Sequence, residues 1–426
     1  MADSAGTKKI IKKRKGIAKI FPEKTGYTIL VIVMALLAIA FLVMLALVNA
    51  FPAGLTMGLV GAMFVMLVLA VVLVGRKNRA ARICGLLVGV LFLGGYGLAT
   101  YYLGTTYAAF AKISSGNTSA SGSAETQAPV EKPFNVYITG IDMWNYEKGM
   151  DLERSDVNMI ITVCPATRKV LLTSIPRDAY VKLHTAGQMD KLTHTGVYGV
   201  DETINTVQDW LGIDLNYYVK VNFTSVVKVI NATGGVKVYS PKDFKSSISR
   251  FKYHKGWNTL SGKEALYFAR ERKAFDGEDS QRVDNQQAVV KAMIDNLTTS
   301  STLLTKYDEL LEIAADDLET NMPMSDMQAL VRMQLQDLSK WEIETQKIEG
   351  EYDMDYVASL TQEQKFQVYK TDPNSVAKCI DNINRILNPT EEEIQAQIEK
   401  KKEATAREIL NKITGRKKGN EEDSEG

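Results

Sequence analysis

Three apolar runs near the amino terminus constrain this chain before anything else does: Thr28 to Val48, Gly54 to Val74 and Ile83 to Leu103 contain no Asp, Glu, Lys or Arg. Each is close to the length of about 20 residues with which a helix crosses a hydrocarbon core. In lipid, only a helix or a closed barrel satisfies its own backbone polar groups. A secretory signal would be shorter and would end at a small-residue cleavage site, whereas here one apolar run is followed directly by two more. The chain is therefore predicted to cross a membrane three times. Lys8, Lys9, Lys12, Lys13, Arg14, Lys15 and Lys19 precede the first run, and Arg76, Lys77, Arg79 and Arg82 separate the second from the third. Cytoplasmic flanks retain Lys and Arg, so the amino terminus is expected in the cytoplasm and everything after Leu103 outside it.

The rest divides by composition. Residues 1–27 form a basic cytoplasmic tail, 28–105 the three spans, 106–133 a Ser-, Gly- and Ala-rich flexible linker, 134–388 a folded extracytoplasmic domain, and 389–426 a charged tail expected to be partly disordered. Within the folded domain, Phe134 to Thr139, Val157 to Val163, Val170 to Ile175, Tyr217 to Phe223 and Val236 to Tyr239 are short β-branched and aromatic runs bounded by turn formers, the pattern of strands. Helices are predicted over Glu202 to Leu211, Ser225 to Ala232 and Lys263 to Arg270, the last opened by a Ser261/Glu264 capping box. A further helix runs from about Ser280 to Leu297 with Val283, Val290, Ile294 and Leu297 as its apolar stripe. Helical stretches follow near Leu303 to Ala315, Met327 to Leu338 and Ser375 to Leu387, with a polar region before the last. Interleaved strands and helices indicate the α/β class.

Charge and cysteine content exclude several classes. The 51 Lys and Arg against 50 Asp and Glu leave a net charge of +1, which does not suit a nucleic-acid binder, and the topology already accounts for the basic amino terminus. Cys84 starts the third span, and Cys164 and Cys379 are too few for a disulfide framework and are read as free thiols.

Arginines and aspartates recur together in short clusters: Gly140-Ile-Asp142, Arg154-Ser-Asp156, Ile175-Pro-Arg177-Asp178, Arg270-Glu-Arg272, and Arg282 with Gln286 one helical turn on. Arginine grips phosphate oxygens in a planar fork and keeps its charge at any working pH. Aspartates beside it could supply hard oxygen ligands to Mg²⁺. Convergence of the clusters would make a pyrophosphate site.

Arg154-Ser-Asp-Val-Asn-Met-Ile, Ser174-Ile-Pro-Arg-Asp-Ala-Tyr-Val, Lys191-Leu-Thr-His, Gly234-Gly-Val and Ala265-Leu-Tyr-Phe-Ala-Arg-Glu-Arg resemble, in order, the motifs of the LytR-CpsA-Psr family. The resemblance implies an α-β-α core with a mixed sheet flanked by helices and a lipid-holding pocket. It implies transfer of teichoic acid, capsule or another glycan from a polyprenyl-pyrophosphate carrier to peptidoglycan, leaving a phosphodiester. Water in place of the glycan hydroxyl would instead make a pyrophosphatase, and the fold without turnover would make a lipid- or wall-binding protein.

By the same resemblance, Asp142 and Asp156 match the metal-binding aspartates, with Mg²⁺ or Mn²⁺ as the ion. Arg154, Arg177, Arg270, Arg272, Arg282 and Gln286 match the pyrophosphate grip, Lys191 is read as a further phosphate contact in preference to a solvent-facing side chain, and Asp156, Arg154 and Arg177 form the catalytic group. The chain departs from the family's frequent Arg-x-x-Arg-Gln by placing Asn285 before Gln286, which removes one cation and lets Gln287 compete for the matching role. Asp178 is read as a brace for Arg177, His194 as a hydrogen-bonded positioning residue, and Val219, Val221 and Phe223 as core packing in preference to a lipid pocket. The partners implied are a membrane, a polyprenyl-linked glycan and peptidoglycan, without nucleic acid.

Overall fold

The computed structural model describes residues 23–115, 132–141, 155–275, 279–298, 306–336, 339–360 and 363–414. It divides into two compact units, Met1–Ala108 and Ala109–Gly426. The first holds α1 (Glu23–Val48), α2 (Ala53–Val74) and most of α3 (Arg79–Ser115), each long and apolar enough to cross a membrane. Phe41 meets the Tyr96 ring edge-on at 5.0 Å, and the Tyr96 hydroxyl donates to the Leu59 carbonyl at 3.0 Å, joining all three helices. α3 continues past the third apolar run to Ser115, so residues 106–115 are helical and not the flexible linker expected from their small side chains. Within the second unit Phe110 and Ile113, three residues apart on this helix, are both buried. The remainder of the expected linker lies outside the described residues.

The second unit continues with β1 (Phe134–Ile141), β2 (Ser155–Cys164), β3 (Lys169–Ile175), the short ribbon of β4 (Tyr180–Lys182) and β5 (Met189–Lys191), and α4 (Val200–Leu211). Next come β6 (Tyr217–Asn222), α5 (Phe223–Ala232), and β7 (Val236–Ser240), β8 (Phe244–Lys245), β9 (Lys252–Tyr253) and β10 (Gly256–Leu260), paired as two nested ribbons. After α6 (Gly262–Arg270), α7 (Asp279–Leu297) and α8 (Tyr307–Asp317) the chain forms β11 (Leu318–Thr320), α9 (Met324–Gln336) and β12 (Glu342–Lys347). It ends with the hairpin β13 (Gly350–Asp355) and β14 (Phe366–Thr371), then α10 (Pro373–Leu387) and α11 (Glu391–Thr414).

Six strands form one mixed sheet in the order β11-β6-β1-β2-β3-β12. β1 is parallel to β6 and β3 to β12, while β2 runs antiparallel to β1 and β3. The carboxyl ends of β1, β3, β6 and β12 therefore share one edge. Side chains alternate across the sheet. Tyr137, Ile160, Leu171 and Tyr218 pack on one face with Val207 and Leu211 of α4 and Ile383 and Ile386 of α10. Met159, Val170 and Leu172 point the other way, toward Val290 and Ile294 of α7. Burial of each such side chain contributes about 1.5–3 kcal/mol, so the three layers hold the strand ends in place.

α7 has two apolar sides where the sequence indicated one stripe. Val290 and Ile294 face the sheet, while Val289 and Ala292 join a separate core with Ile230, Val236, Val238, Tyr253 and Phe268. The predicted polar region contains β12, β13 and β14. Of β12, only Ile343 is buried, so charge and polarity concealed an edge strand. Cys164 and Cys379 are buried and free, as expected.

α6 opens on the expected Ser261/Glu264 capping box and crosses α5 at Gly262, where a Cβ would lie 2.2 Å from the Val227 carbonyl oxygen. Gly262→Ala should therefore lower stability by about 1–3 kcal/mol or more through overpacking. Gly104→Ala, into open space, should be neutral or stabilise by up to about 1 kcal/mol. Thermal unfolding of the two full-length variants checks the contrast.

Candidate active site

Strand register brings the first two site residues together. Asn158 of β2 pairs with Ile175 of β3, and the same antiparallel count carried two residues further sets Asp156 opposite Arg177. Pro176 has no N–H and ends the ladder, and Arg177 Nη1 donates to Asp156 Oδ1 at 2.7 Å. A buried polar network anchors the start of β2. Thr139 Oγ1 and Ser155 Oγ are 2.6 Å apart, and both Ser155 and the Tyr137 hydroxyl donate to Asn158 Oδ1. Burial pushes the Tyr137 phenol well up, so it remains a neutral donor.

Asp178 stands between two cations, with Oδ2 3.5 Å from Arg177 Nε and Oδ1 3.4 Å from Lys191 Nζ. That geometry suits the brace read from sequence. Lys191, expected in the phosphate grip, does not line the cavity described below and reaches Arg177 through Asp178.

A second group of cations comes from the end of α6. Arg270 is its last residue, Glu271 is fully buried, and Arg272 follows in extended chain. Glu271 accepts from the Ser247 N–H and hydroxyl, both at 2.7 Å, and from the N–H groups of Arg272 and Ala274 at 3.1 and 3.2 Å. Burial pushes its carboxyl up, but hydrogen bonds from Ser247, Ser246 and Ala274 outweigh that and hold it below the usual carboxylate range. A buried anion thus lies between the two arginines and ties them to the Ser246–Ile248 loop. The Arg270 guanidinium sits 5.3 Å from the Phe223 ring centre. Phe223 is held at the end of β6 because Asn222 caps α5, its Oδ1 accepting from Ser225 N at 2.7 Å.

α7 supplies the last group. Arg282 and Gln286, four residues apart, face the same cavity. Gln287 turns away to donate to Ser174 Oγ at 2.9 Å, which leaves Gln286 as the glutamine that lines the cavity. Asn285, where the family often has Arg, is buried and donates to the Phe268 carbonyl at 3.1 Å while accepting from Gln281. It fixes the end of α6 to α7 and does not line the cavity.

These groups enclose a cavity of about 270 Å³. Arg177, Arg270, Arg272, Lys273 and Arg282 line it against Asp156 as the only carboxylate in the lining among the described residues, with Gln286, Phe223, Ser247 and Ile248 completing the wall. Charge of one sign at this density favours a multiply charged anion. Sequence reasoning missed Lys273 and Glu271, and it read Phe223 as core packing, whereas Phe223 lines this cavity; Lys273 carried a signal in directly following Arg272. Val219, by contrast, packs with the sheet core, as expected. Asp142 and Arg154 lie outside the described residues.

Among those residues no three His, Cys, Asp or Glu side chains gather into a metal cage. Mg²⁺ needs none, since it takes one or two carboxylates with substrate phosphates and keeps waters. Asp156 in a cavity lined by cations fits an ion that arrives with its phosphate ligand. His194 does not line this cavity. Its Nδ1 lies 2.7 Å from Asp190 Oδ1 and 2.8 Å from the Ser359 hydroxyl, an arrangement that positions the chain.

Because Glu271's folded pKa is depressed, its contribution to stability should be fully present above the unfolded carboxyl value of about 4.3 and lost as pH falls through the folded value. Glu271→Gln should melt below the parent chain near pH 7, with the gap closing below about pH 4. Melting temperature measured against pH for both chains checks it.

The model of the LytR_cpsA_psr family matches residues 100–382. TagU of Bacillus subtilis strain 168, a polyisoprenyl-teichoic acid–peptidoglycan teichoic acid transferase, is 32% identical over 256 residues, covering 59% of this chain and 81% of TagU. The crystal structure of B. subtilis TagV is similar at a TM-score of 0.50 and 30% identity, over 61% of this chain and 99% of that one. A structure of TagT bound to LIIa-WTA is similar at a TM-score of 0.51 and 26% identity, over 64% and 99% of the two chains. With the α-β-α core and the ordered motifs, the match shows that this chain belongs to the LytR-CpsA-Psr family.

Proposed function

We propose that this protein transfers a phosphate-linked glycan, such as teichoic acid or capsule polymer, from a polyprenyl-pyrophosphate carrier to a hydroxyl of peptidoglycan. The observation that carries the reading is the convergence of Arg177, Arg270, Arg272, Lys273 and Arg282 around Asp156. The transferase activity named for TagU supports it. The basic residues flanking the apolar helices support an orientation with the amino terminus in the cytoplasm and this cavity outside, on the side of the peptidoglycan acceptor.

The arginines hold the pyrophosphate. The acceptor oxygen attacks the phosphorus that carries the glycan and forms a new P–O bond, while the P–O bond to polyprenyl phosphate breaks. The electron pair leaves with polyprenyl phosphate, and the hydroxyl proton passes to water. Charge spreads over the phosphoryl oxygens in the transition state, and Arg177, Arg270, Arg272 and Arg282 stabilise it without reorganising. Asp156, with Asp142, would hold Mg²⁺ or Mn²⁺, which supplies further neutralisation of the pyrophosphate. Asp156 also fixes Arg177 through their 2.7 Å hydrogen bond.

Asp156→Ala and Arg177→Ala should each lower transfer by at least about a hundredfold in a folded protein. Asp178→Asn should mainly lower stability, by about 1 kcal/mol or less. Transfer from a polyprenyl-pyrophosphate glycan to peptidoglycan with Mg²⁺, read beside thermal melts, checks this. Near-normal turnover by folded Asp156→Ala or Arg177→Ala would remove the assignment.

A further inference from the structure

A second cavity, of about 580 Å³, lies between α7, the end of β12 and the first turns of α10. Because β12 runs parallel to β3, this cavity, like the first, sits beyond strand carboxyl ends, where α/β sheets generally bind ligands. α7 lines both. Arg282 and Gln286 face the first cavity, whereas Asp284 and Gln287 face the second. A helix with its side chains is about 10 Å across, so the two spaces are close enough for one extended substrate to reach from one to the other.

Their linings differ in kind. The first is dominated by cations. In the second, Lys347 and Lys378 stand against Asp284, Glu349 and Asp372, and Lys347 Nζ is already paired with Asp284 Oδ1 at 2.8 Å. Its floor is a ladder of oriented amides. Asn382 Nδ2 donates to Gln346 Oε1 at 2.9 Å, and Gln346 Nε2 donates to Thr173 Oγ1 at 2.8 Å and to the Cys379 carbonyl at 3.0 Å. Thr345, Asn374 and Lys378 stand exposed along the rim. An anion gains no net positive charge here. A neutral ligand rich in hydroxyls does find partners, because each hydroxyl both donates and accepts, as amides do. The volume falls within the range of about 300–1,000 Å³ typical of ligand sites.

We infer that this second cavity is the acceptor site and takes the sugars of a peptidoglycan glycan strand, leaving the cationic cavity to the donor pyrophosphate. The inference rests on the transfer reaction proposed above. A bisubstrate reaction needs two sites of different chemistry opening at one edge, which is what α7 divides.

The test is calorimetric titration of the full-length chain in detergent with disaccharide-peptide fragments released from peptidoglycan by a muramidase. Asn374→Ala/Lys378→Ala should weaken fragment binding at least tenfold, with an unchanged melting temperature. Arg272→Ala, in the other cavity, should bind the fragment as the parent does, while losing affinity for inorganic pyrophosphate. Equal fragment affinity in the parent and the double variant would overturn the acceptor site and leave the donor reading standing. Absence of fragment binding by the parent chain would remove the acceptor half of the proposed function, and this inference with it. Weakening by Arg272→Ala as great as by the double variant would move the acceptor into the cationic cavity and likewise overturn the site.

Discussion

The candidate site depends on holding several like charges close together before any ligand arrives. Guanidinium groups that converge on one cavity repel one another, and each needs a local anion or scaffold to stay. Asp156 takes Arg177 across the strand edge at 2.7 Å, and Asp178 supports the same side chain from behind. Glu271, buried and ionised, anchors the chain between Arg270 and Arg272. Phe223 gives Arg270 an aromatic face. The anions are matched to individual cations, and what remains is an excess of positive charge directed at one volume of 270 Å³.

That arrangement needs the sheet. β2 delivers Asp156 at its start and β3 delivers Arg177 just past its end, because antiparallel register makes the beginning of one the neighbour of the end of the other. β6 is parallel to β1 and ends at the same edge, which brings Phe223 beside them. The helix α7 then closes the side, with one face in the sheet core, another in the core under the small ribbons, and its polar positions turned to the two cavities. Side chains far apart in sequence therefore meet because parallel and antiparallel pairings both terminate there.

Much of this was legible in the sequence, for identifiable reasons. Membrane spans announce themselves by length and lack of charge, and β1, β2, β3 and β6 are apolar enough on both faces to read as strands. Arg177, Arg270, Arg272, Arg282 and Gln286 lie at element ends or one helical turn apart, so local pattern located them. Other features follow from tertiary contacts that leave no local mark. Glu271 reads as an ordinary surface charge between two arginines until the Ser247 loop folds over it. Asn285 looked like a lost cation, yet its amide ties two helices together. The Glu342–Lys347 strand has too little apolar surface to be seen as sheet, and is held by pairing with β3. Lys191 has the type and position of a phosphate ligand, and in the fold it pairs with Asp178 at 3.4 Å and does not line the cavity.

The central claim is that the cationic cavity holds the donor's pyrophosphate. The most direct measurement is the ³¹P NMR spectrum of a short-chain polyprenyl-pyrophosphate glycan titrated with the full-length chain and with Arg282→Gln. Both phosphorus signals should shift with the parent chain, and the variant should need at least about tenfold more protein for the same shift, the loss of a charged hydrogen-bonding partner. Identical titration curves for the two chains would contradict the claim.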